Sequence, residues 1–328
     1  MNKNIAVVGG SGFVGSYLSS CLLKNNLKHS LYDIKANDNN INFLDVEKSE
    51  TLDVLKNSSV IINLAAVHRD DVKPKSKYFD VNVRGASNIC NCARKHNINK
   101  IIFTSSVAIY GFASKNTDEN GQPNFFNDYG KTKYEAELIY QEWQKEDPKN
   151  RSLVIIRPTV IFGEGNRGNV FNLLNQINKK RFFMIGSGDN IKSMAYVKNV
   201  ADFIKFSLKK PSGIFIHNYI DKPDMKVNEL VRTIRKTLHN KDNVGIKIPI
   251  SVGIFIGYFF DFLSFIFKKQ LSISSIRIKK FLNNSMFSSN IKDDSEFEPL
   301  FTLEEGLIRT LKYEFLDNNT NKKVFNTE

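Results

Sequence analysis

Cysteine is scarce in this chain, and its placement excludes the sites that cysteine most often builds. The three cysteines, Cys21, Cys90 and Cys92, are odd in number and lack the paired spacing of a zinc site. A disulfide framework is therefore excluded, and the composition predicts a reducing, cytoplasmic compartment. The five histidines are scattered, and Asp70–Asp71 beside His68 is best explained as a solvated loop. No metal centre is expected.

Signal segments, internal repeats and runs of like charge are also missing. The chain enters an apolar strand pattern within its first five residues, with no basic and apolar leader before it. Lysine and arginine total 47 against 34 acidic residues, which gives a net charge of +13. Such a charge attracts anions, but the basic residues are scattered and are not interleaved with aromatic residues. We therefore predict phosphate-bearing ligands and no nucleic-acid partner.

One apolar run reaches the length of a membrane span. Residues 248–267 are apolar at most positions, and Lys268 and Lys269 follow. Asp261 lies inside the run, and a carboxylate in the middle of a bilayer is costly. Two interpretations stay open: a lid helix packed on a lobe or at a subunit contact, and a helix lying in a membrane surface, which the aromatic content and flanking lysines favour.

The segment Ile5–Gly15 is typical of a buried strand, a tight turn and the start of a helix. Its glycines fall at positions 9, 12 and 15, directly after four apolar residues. In this spacing one glycine permits the turn, one lets the backbone approach a pyrophosphate, and one lets the helix pack on the strand. The helix amides and the positive end of the helix dipole then face the phosphates. This predicts a dinucleotide site at Gly9, Gly12, Phe13, Val14 and Gly15.

An acidic residue at the end of the second predicted strand indicates which dinucleotide is bound. Asp33 stands eighteen residues after Gly15, where a carboxylate accepts both ribose hydroxyls of adenosine and repels a 2′-phosphate. NAD is therefore predicted, although Lys35 could attract a phosphate and NADP stays open. Asp45 ends a short strand predicted at 41–45; it could meet the adenine edge or form a surface turn.

Strand and helix patterns alternate through the first half of the chain. Further strands are predicted at 60–66, 100–106 and 153–158, and helices at 79–96 and 129–145. This alternation predicts an α/β fold of the Rossmann type, with right-handed crossovers and a doubly wound parallel sheet.

Beyond Pro158 the pattern becomes mainly helical. Helices are predicted near 170–179, 197–209, 227–238, 250–267 and 303–313. Short strands are predicted at 182–185 and 214–216. We therefore predict an NAD-binding domain at residues 1–158 and a smaller substrate lobe at 159–328.

Tyr129 and Lys133 stand four residues apart in the helix predicted at 129–145, so they share one face. A tyrosine normally titrates near pH ~10, but a nearby ammonium and a nicotinamide cation stabilise the phenolate and lower its pKa. Ser106, at the end of the preceding strand, can hydrogen-bond the same substrate oxygen. Together these three residues predict proton transfer next to a hydride acceptor.

The motifs together resemble the extended short-chain dehydrogenase/reductases, in their nucleotide-sugar epimerase/dehydratase branch. The resemblance covers nearly the whole chain. In the first half it is carried by Gly9-Gly10-Ser11-Gly12-Phe13-Val14-Gly15, Asp33, Leu64-Ala65-Ala66, Asn82, Ser105-Ser106, Tyr110-Gly111, Tyr129-Gly130-Lys131-Thr132-Lys133, Arg157-Pro158 and Phe162-Gly163. It continues in Gly168-Asn169, Gly186-Ser187-Gly188, Ser193, Tyr196-Val197 and Leu303-Glu304-Glu305-Gly306-Leu307.

The resemblance implies roles for individual residues. Ser106, Tyr129 and Lys133 would form the catalytic triad. Further cofactor contacts would come from Leu64, Ala65, Ala66, Asn82, Ser105 and Pro158. Substrate contacts would come from Ser106, Phe162, Asn169, Lys192 and Tyr196. Lys192 stands where many relatives carry an arginine on the diphosphate, so the charge is kept but the bidentate fork is lost.

The resemblance also bears on the assembly. Family members often pair two helices per subunit into a four-helix dimer interface, so a homodimer is expected, with 87–92 and 137–143 as the paired stretches. Members also interleave some segments of the two domains.

The residues after Ser106 narrow the reaction. Sugar 4,6-dehydratases of this kind carry an Asp-Glu pair there, whereas Val107 and Ala108 cannot transfer protons. The prediction is therefore an NAD-dependent 4-epimerase of a UDP-hexose type nucleotide sugar, in bacterial surface polysaccharide synthesis. Two alternatives stay open: an NAD(P)H-dependent 4-keto reductase, and a non-catalytic dinucleotide-binding protein.

Overall fold

The structure is a computed structural model that describes residues 4–36, 40–69, 72–111, 116–267, 274–291, 296–318 and 322–325. The Asp70–Asp71 pair of the sequence analysis lies outside these residues.

The strands are β1 Asn4–Val8, β2 His29–Asp33, β3 Ile41–Phe43, β4 Ser58–Asn63, β5 Lys100–Thr104, β6 Ser152–Pro158, β7 Val160–Phe162, β8 Met184–Ile185, β9 Ile191–Lys192, β10 Met194–Tyr196, β11 Gly213–Tyr219, β12 Met225–Lys226 and β13 Lys247–Ile248.

Nine α-helices of eight or more residues connect the strands that the structure describes. They are α1 Phe13–Lys24, α2 Gly85–Lys95, α3 Asp128–Lys145, α4 Asn169–Asn178, α5 Val197–Ser207, α6 Val227–His239, α7 Ile250–Ile266, α8 Ser275–Leu282 and α9 Leu303–Leu311. A 3₁₀ helix at Ser49–Leu55 precedes β4, and a π-helical stretch at Phe79–Arg84 runs directly into α2. Neither of these two irregular segments was predicted as such, because their periods differ from those of α-helices and strands.

Seven parallel strands form the main sheet, in the order β11-β6-β5-β4-β1-β2-β3. The strand order reverses between β1 and β4, and the crevice beyond their carboxyl ends is where doubly wound sheets bind ligands. The predicted α/β Rossmann-type fold is therefore confirmed. The predicted strand at 60–66 ends at Asn63, so Leu64, Ala65 and Ala66 lie in the loop beyond the carboxyl edge of the sheet.

Helices cover both faces of the sheet. On one face, α2 and α3 pack through residues such as Ile89, Tyr140 and Trp143. On the other face, α1 and α5 pack together through residues such as Leu18 and Phe203. Strands that are buried on both faces have continuous apolar sequences. For that reason the positions of these strands could be predicted from the sequence.

The main sheet does not end at Pro158. β11 pairs with β6 in register from Gly213 to Tyr219, and α5 packs on α1. Residues 197–219 therefore pack with the main sheet, although they follow part of the second lobe in the chain. The domain boundary at residue 158 stays a prediction. The sequence pattern after Pro158 did not indicate this packing, because the connection to β11 runs through the second lobe.

The second lobe is built from α4, α6 and α9 around a core that includes Leu174, Val231 and Leu307. Three two-stranded pairs border it, namely β7 with β10, β9 with β12, and β8 with β13. Among the described residues, no helix is both long enough and apolar enough to cross a membrane.

Candidate active site

The turn after β1 needs glycine at its two tightest points. Gly9 has a φ of 81°, and a Cβ there would lie 2.8 Å from the amide nitrogen of Ala65, beyond the end of β4. A Cβ at Gly15 would lie 2.5 Å from the carbonyl oxygen of Gly9. Only glycine therefore allows both the turn and the close packing of α1 against it.

Gly12 occupies the open side of the same turn. The one atom near a Cβ built there is the Gly9 carbonyl oxygen, at 3.3 Å. Gly12 is also the N-cap of α1 and offers no side-chain acceptor to the first helix amides. The amides of Phe13, Val14 and Gly15 are donors of the kind that a pyrophosphate requires. The residues present here fit the phosphates of a dinucleotide.

The side chain of Phe13 points into the protein. It is buried, and its ring centroid lies 5.5 Å from those of Tyr17 and Phe325. The half-buried Val14 packs against the cores of both the sheet and the second lobe. These two residues therefore join the lobes through their side chains and leave their backbone amides for a phosphate.

Asp33 at the end of β2 is oriented by two backbone amides. Its Oδ2 accepts from the N–H of Ser11 at 3.1 Å, and its Oδ1 accepts from the N–H of Lys35 at 3.1 Å. Each carboxylate oxygen keeps further acceptor capacity, which suits the two hydroxyls of a ribose. The arrangement fits the NAD prediction made from the sequence.

Asp45 lies in an Asx turn after β3. Its Oδ1 accepts from the N–H of Glu47 at 3.0 Å, and its own N–H donates to the hydroxyl of Thr51 at 3.1 Å. The geometry is that of the surface turn considered as the alternative, and contact with adenine stays a prediction.

Asn82 holds the loop after β4 against the catalytic helix. Its Oδ1 accepts from the N–H of Val67 at 2.9 Å, and its Nδ2 donates to the Val67 carbonyl at 3.1 Å and to the Thr132 hydroxyl at 3.0 Å. These bonds fix the loop that carries Leu64, Ala65 and Ala66, all half-buried beside Gly9. Asn82 is itself buried, and its contact with the cofactor stays a prediction.

Two serines follow β5. Ser105 is buried, and its Oγ has no hydrogen-bond partner among the described residues. The half-buried Ser106 starts a 3₁₀ turn at Val107–Tyr110, where its Oγ accepts from the N–H of Ala108 at 3.1 Å. The Ser106 hydroxyl hydrogen stays available to a substrate oxygen.

Tyr129 stands in the first turn of α3, directly beside that 3₁₀ turn. Asn127 caps the helix by accepting from the N–H of Gly130 at 2.9 Å. A Cβ at Gly130 would lie 2.4 Å from the carbonyl oxygen of Ala108, so glycine lets the helix start against the segment that carries Ser106. The half-buried Tyr129 is thereby placed at the carboxyl edge of the sheet.

Lys133 lies one helical turn beyond Tyr129 and is buried. Its Nζ is 4.2 Å from the centroid of the Phe103 ring and donates no hydrogen bond to any residue in the described part of the chain. Burial lowers the pKa of this ammonium to about 7, and the nearby carboxylate of Glu137 opposes that effect. The structure thus brings Ser106, Tyr129 and Lys133 to one edge of the sheet, in the order that the sequence predicted.

Glu137, the next residue on the same helix face, is held by Arg157 at the end of β6. The two side chains form a bidentate pair, Arg157 Nε to Oε1 at 3.0 Å and Nη2 to Oε2 at 2.6 Å. Arg157 also donates to the Tyr110 hydroxyl at 2.6 Å, and that hydroxyl donates to Asn218 Oδ1 at 3.0 Å. This buried network ties α3 to β6 and β11. In the sequence Arg157 stands out only as part of a motif, and its partners cannot be identified there because they lie far apart in the chain.

Phe162 and Tyr196, which were predicted to contact substrate, are core residues in the structure. Their ring centroids lie 5.7 Å apart, and both side chains are fully buried. The Tyr196 hydroxyl donates to both oxygens of Glu164, at 2.8 and 3.0 Å. In this structure they present no surface to a ligand, so we assign them to the packing under the site. Pro158 is likewise buried, at the end of β6.

Asn169 has the accessibility that a phosphate contact requires, and Lys192 has the positive charge. Asn169 is exposed at the first position of α4, and its side chain makes no hydrogen bond to any part of the chain that the structure describes. The Nζ of Lys192 donates to the carbonyl oxygen of Asn283 at 2.6 Å, and burial lowers its pKa to about 8. Their contacts with substrate stay predictions.

Sequence reasoning did not identify Glu164 as an organising residue. This buried carboxylate accepts from the Tyr196 hydroxyl and pairs with Lys198 at 2.7 Å, while its own carbonyl accepts from the Tyr17 hydroxyl at 2.9 Å. A signal was available in the sequence, since an acidic residue two positions after the apolar strand β7 requires a partner when it is buried.

Comparison with known proteins agrees with this geometry. The chain is 43% identical over its full length, and over the full length of the relative, to N-acetyl-alpha-D-glucosaminyl-diphospho-ditrans,octacis-undecaprenol 4-epimerase of Escherichia coli O157:H7. It is 25% identical to UDP-glucose 4-epimerase of Vibrio cholerae, covering 97% of this chain and 98% of that one. The fold matches that of UDP-N-acetylglucosamine 4-epimerase from Bacillus cereus with a TM-score of 0.75, at 18% identity, over 98% of this chain and all of the other.

The sequence profile of the family described as NAD dependent epimerase/dehydratase matches residues 5–218. That range runs from β1 through β11, so it covers the whole main sheet with its glycine turn and the Ser106, Tyr129 and Lys133 constellation. The chain is a member of the NAD-dependent epimerase/dehydratase family.

Proposed function

We propose that this protein is an NAD-dependent 4-epimerase that acts on a sugar carried by a diphosphate. The observation that carries the proposal is the buried Lys133 one turn from Tyr129, beside Ser106 and the dinucleotide turn. Val107 and Ala108 offer no acid or base for dehydration. The 4-epimerase names of the relatives support the same reaction. The reductase and the non-catalytic protein have no comparable support.

The residues of the chain supply the proton chemistry of this reaction. Tyr129 as phenolate removes the proton of the C4 hydroxyl, and Ser106 donates a hydrogen bond to the same oxygen. The Lys133 ammonium stabilises the phenolate. NAD would be held by the glycine turn at residues 9–15 and by Asp33, and it would supply reversible hydride transfer at C4. Tyr129 then returns the proton, so the net reaction is redox-neutral.

The carrier of the sugar is the second part of the proposal. The UDP-hexose predicted from the sequence is consistent with the names of several relatives. A specific observation favours a second candidate, because the Escherichia coli relative that is 43% identical over both full lengths is named for an isoprenoid diphosphate sugar. Both carriers place a diphosphate beside the sugar, and the charge of Lys192 and the exposed side chain of Asn169 support binding of that diphosphate.

The test uses purified protein with N-acetylglucosamine linked through a diphosphate either to uridine or to a short, water-soluble prenol. Interconversion with the C4 epimer is followed by NMR, and NAD released by denaturation is quantified. We expect Tyr129→Phe to reduce turnover about 1000-fold while NAD stays bound. Tyr134→Phe is the matched control, since Tyr134 is a half-buried tyrosine on the same helix. A protein that retains NAD and epimerises neither compound would contradict the proposal.

We also propose a cytoplasmic homodimer. The three cysteines are free thiols, which suits a reducing compartment. The outer faces of α2 and α3 lie side by side, and Leu138 is 44% exposed on them. This supports pairing of the two helices with those of a second copy.

A further inference from the structure

We propose that α7 and α8 form a docking face for an anionic membrane surface, and that the docked enzyme receives an isoprenoid-linked substrate there. The proposal rests on the proposed 4-epimerase function and adds the surface at which that function operates. We call the exposed apolar side of α7 the docking face. It consists of Val252, Phe255, Tyr258, Phe259, Phe262, Phe265 and Ile266.

In α7 the small residues are buried and the large apolar residues are exposed, whereas an ordinary amphipathic helix buries its large apolar residues. Its buried positions are Gly253 and Gly257. A Cβ at Gly257 would lie 2.8 Å from the Cα of Ser275, and one at Gly253 would lie 2.6 Å from Ile185. The small residues thus bring α8 and β8 close, while the large residues point outward: Phe255 is 73% exposed and Phe265 is 81% exposed.

The docking face is continuous along the helix. Its members recur at intervals of three and four residues, so they lie on one side of α7 through its whole length. Contiguous exposed apolar patches of this kind mark interaction sites rather than ordinary surface. An isolated exposed leucine such as Leu23 needs no such explanation.

Asp261, the single acid in the run, does not interrupt the face. Both of its carboxylate oxygens accept from the N–H of Ser275 at 3.3 Å, at the first residue of α8. The carboxylate is therefore used at a helix N-terminus, where negative charge is favourable. Asp261 therefore does not count against a helix that lies in the membrane surface.

The sequence around the docking face is basic. The stretch 246–291 contains six lysines and arginines and the single acidic residue Asp261. Arg277 and Lys279 on α8 are exposed, and Lys279 Nζ donates to the Tyr258 hydroxyl at 3.0 Å. Exposed aromatic residues beside cations fit the interface of an anionic bilayer. A second copy fits less well, because a symmetric contact would set two basic surfaces against each other.

A cleft of about 320 Å³ lies at the start of α7. Its apolar wall includes Ile185, Ile250 and Leu282, and its polar wall includes Asp189, Asn190 and Asn284. Ile250 is the first residue of α7, and Asn284 follows Asn283, whose carbonyl oxygen holds Lys192. The cleft thus lies between the first residue of α7 and the segment that holds Lys192, and the proposal places the start of the prenyl chain there.

The experiment is vesicle flotation of the full chain with phosphatidylglycerol-rich and with pure phosphatidylcholine vesicles. We expect binding to the anionic vesicles that weakens with salt. The variant Phe255→Gln, Phe262→Gln, Phe265→Gln should lower the partition constant at least ~100-fold. The variant Arg277→Gln, Lys279→Gln should lower it about 10-fold or more, and only on anionic vesicles. The matched control is Leu23→Gln, Val54→Gln, Leu300→Gln, which removes exposed apolar residues elsewhere and should bind normally.

Activity separates this proposal from the function on which it rests. The triple phenylalanine variant should epimerise the water-soluble short-chain substrate at the wild-type rate and lose activity on long-chain substrate embedded in vesicles. Normal epimerisation by a wild-type protein that does not float would overturn the docking proposal alone. Flotation without epimerisation of any substrate would overturn the function alone. Oligomers that dissociate in the triple variant, without vesicle binding, would identify a second copy as the occupant and overturn the membrane assignment.

Discussion

At the scale of single residues, the chemistry of the site depends on where one lysine is buried. Lys133 faces the Phe103 ring, and its neighbour Glu137 is engaged by Arg157. The ammonium is therefore not neutralised by the carboxylate four residues away, although that spacing favours a pair. Burial lowers its pKa to about 7, so near neutral pH the group can hold or release a proton beside Tyr129.

This pKa makes the stability of the ligand-free protein depend on pH. A lysine in the unfolded chain titrates near pH ~10.4, so between pH 7 and 10 the unfolded state holds one proton more than the folded state. The stability that Lys133 contributes therefore rises with pH in this window, by up to about 1.4 kcal/mol per pH unit, and its penalty is fully present below pH 7. We expect the difference in unfolding free energy between wild type and Lys133→Met, measured by urea titration from pH 6 to 9, to show this slope above pH 7. A difference that is flat across the range would contradict the burial of Lys133.

At the scale of secondary-structure elements, a buried ion pair positions the catalytic helix. Glu137 on α3 and Arg157 on β6 have side chains that are 0% and 6% exposed, and their pair extends through Tyr110 to Asn218 on β11. Burial of two charges is stabilising only when both are fully satisfied. The network therefore contributes more to the placement of α3 than to net stability.

Replacing one member of this ion pair should lower the stability of the protein strongly, and replacing both members should lower it less. We expect Arg157→Met to lower the unfolding free energy by about 3–5 kcal/mol, because Glu137 is left as an unpaired buried charge. The double variant Glu137→Leu, Arg157→Met should be more stable than Arg157→Met alone. Urea unfolding of the wild type, both single variants and the double variant gives the coupling energy. Additive losses would show that the two residues do not act as a pair.

At the scale of the whole molecule, the two lobes are connected by elements that pass between them and by shared packing. β11 and α5 return from the second lobe to complete the first, and Phe13 in the dinucleotide turn packs into the core of the second lobe. Because cofactor turn and substrate lobe meet at one aromatic cluster, the sites proposed for them are held at a fixed relative position.

The proposed dimer is tested at the same scale. Leu138 is exposed on α3, and in a two-fold contact it would face the same surface of a second copy. We expect Leu138→Arg to convert a dimer into a monomer in sedimentation equilibrium, since burying unpaired like charges is unfavourable. Leu23→Arg, on the exposed side of α1, is the control and should leave the dimer intact. A wild-type protein that sediments as a monomer would contradict the dimer.

Much of the fold and the heart of the site follow from local sequence. The apolar runs predicted the positions of the strands, because a strand that is buried on both faces consists mainly of apolar residues. The spacing of Gly9, Gly12 and Gly15 specified the turn, because each position excludes a Cβ or leaves room for a ligand. Tyr129 and Lys133 share a face through helical geometry alone.

Only the tertiary structure decided what each distant residue touches. It placed Tyr196 and Phe162 in the core, bonded both the oxygen and the nitrogen of the Asn82 side-chain amide to other residues of the chain, and joined β11 to the main sheet. It also turned Asp261 toward α8 and left the aromatic side of α7 exposed. The physical reason is that buried polar groups and apolar faces are satisfied by whichever partner the packing brings near, and sequence separation does not reveal that partner.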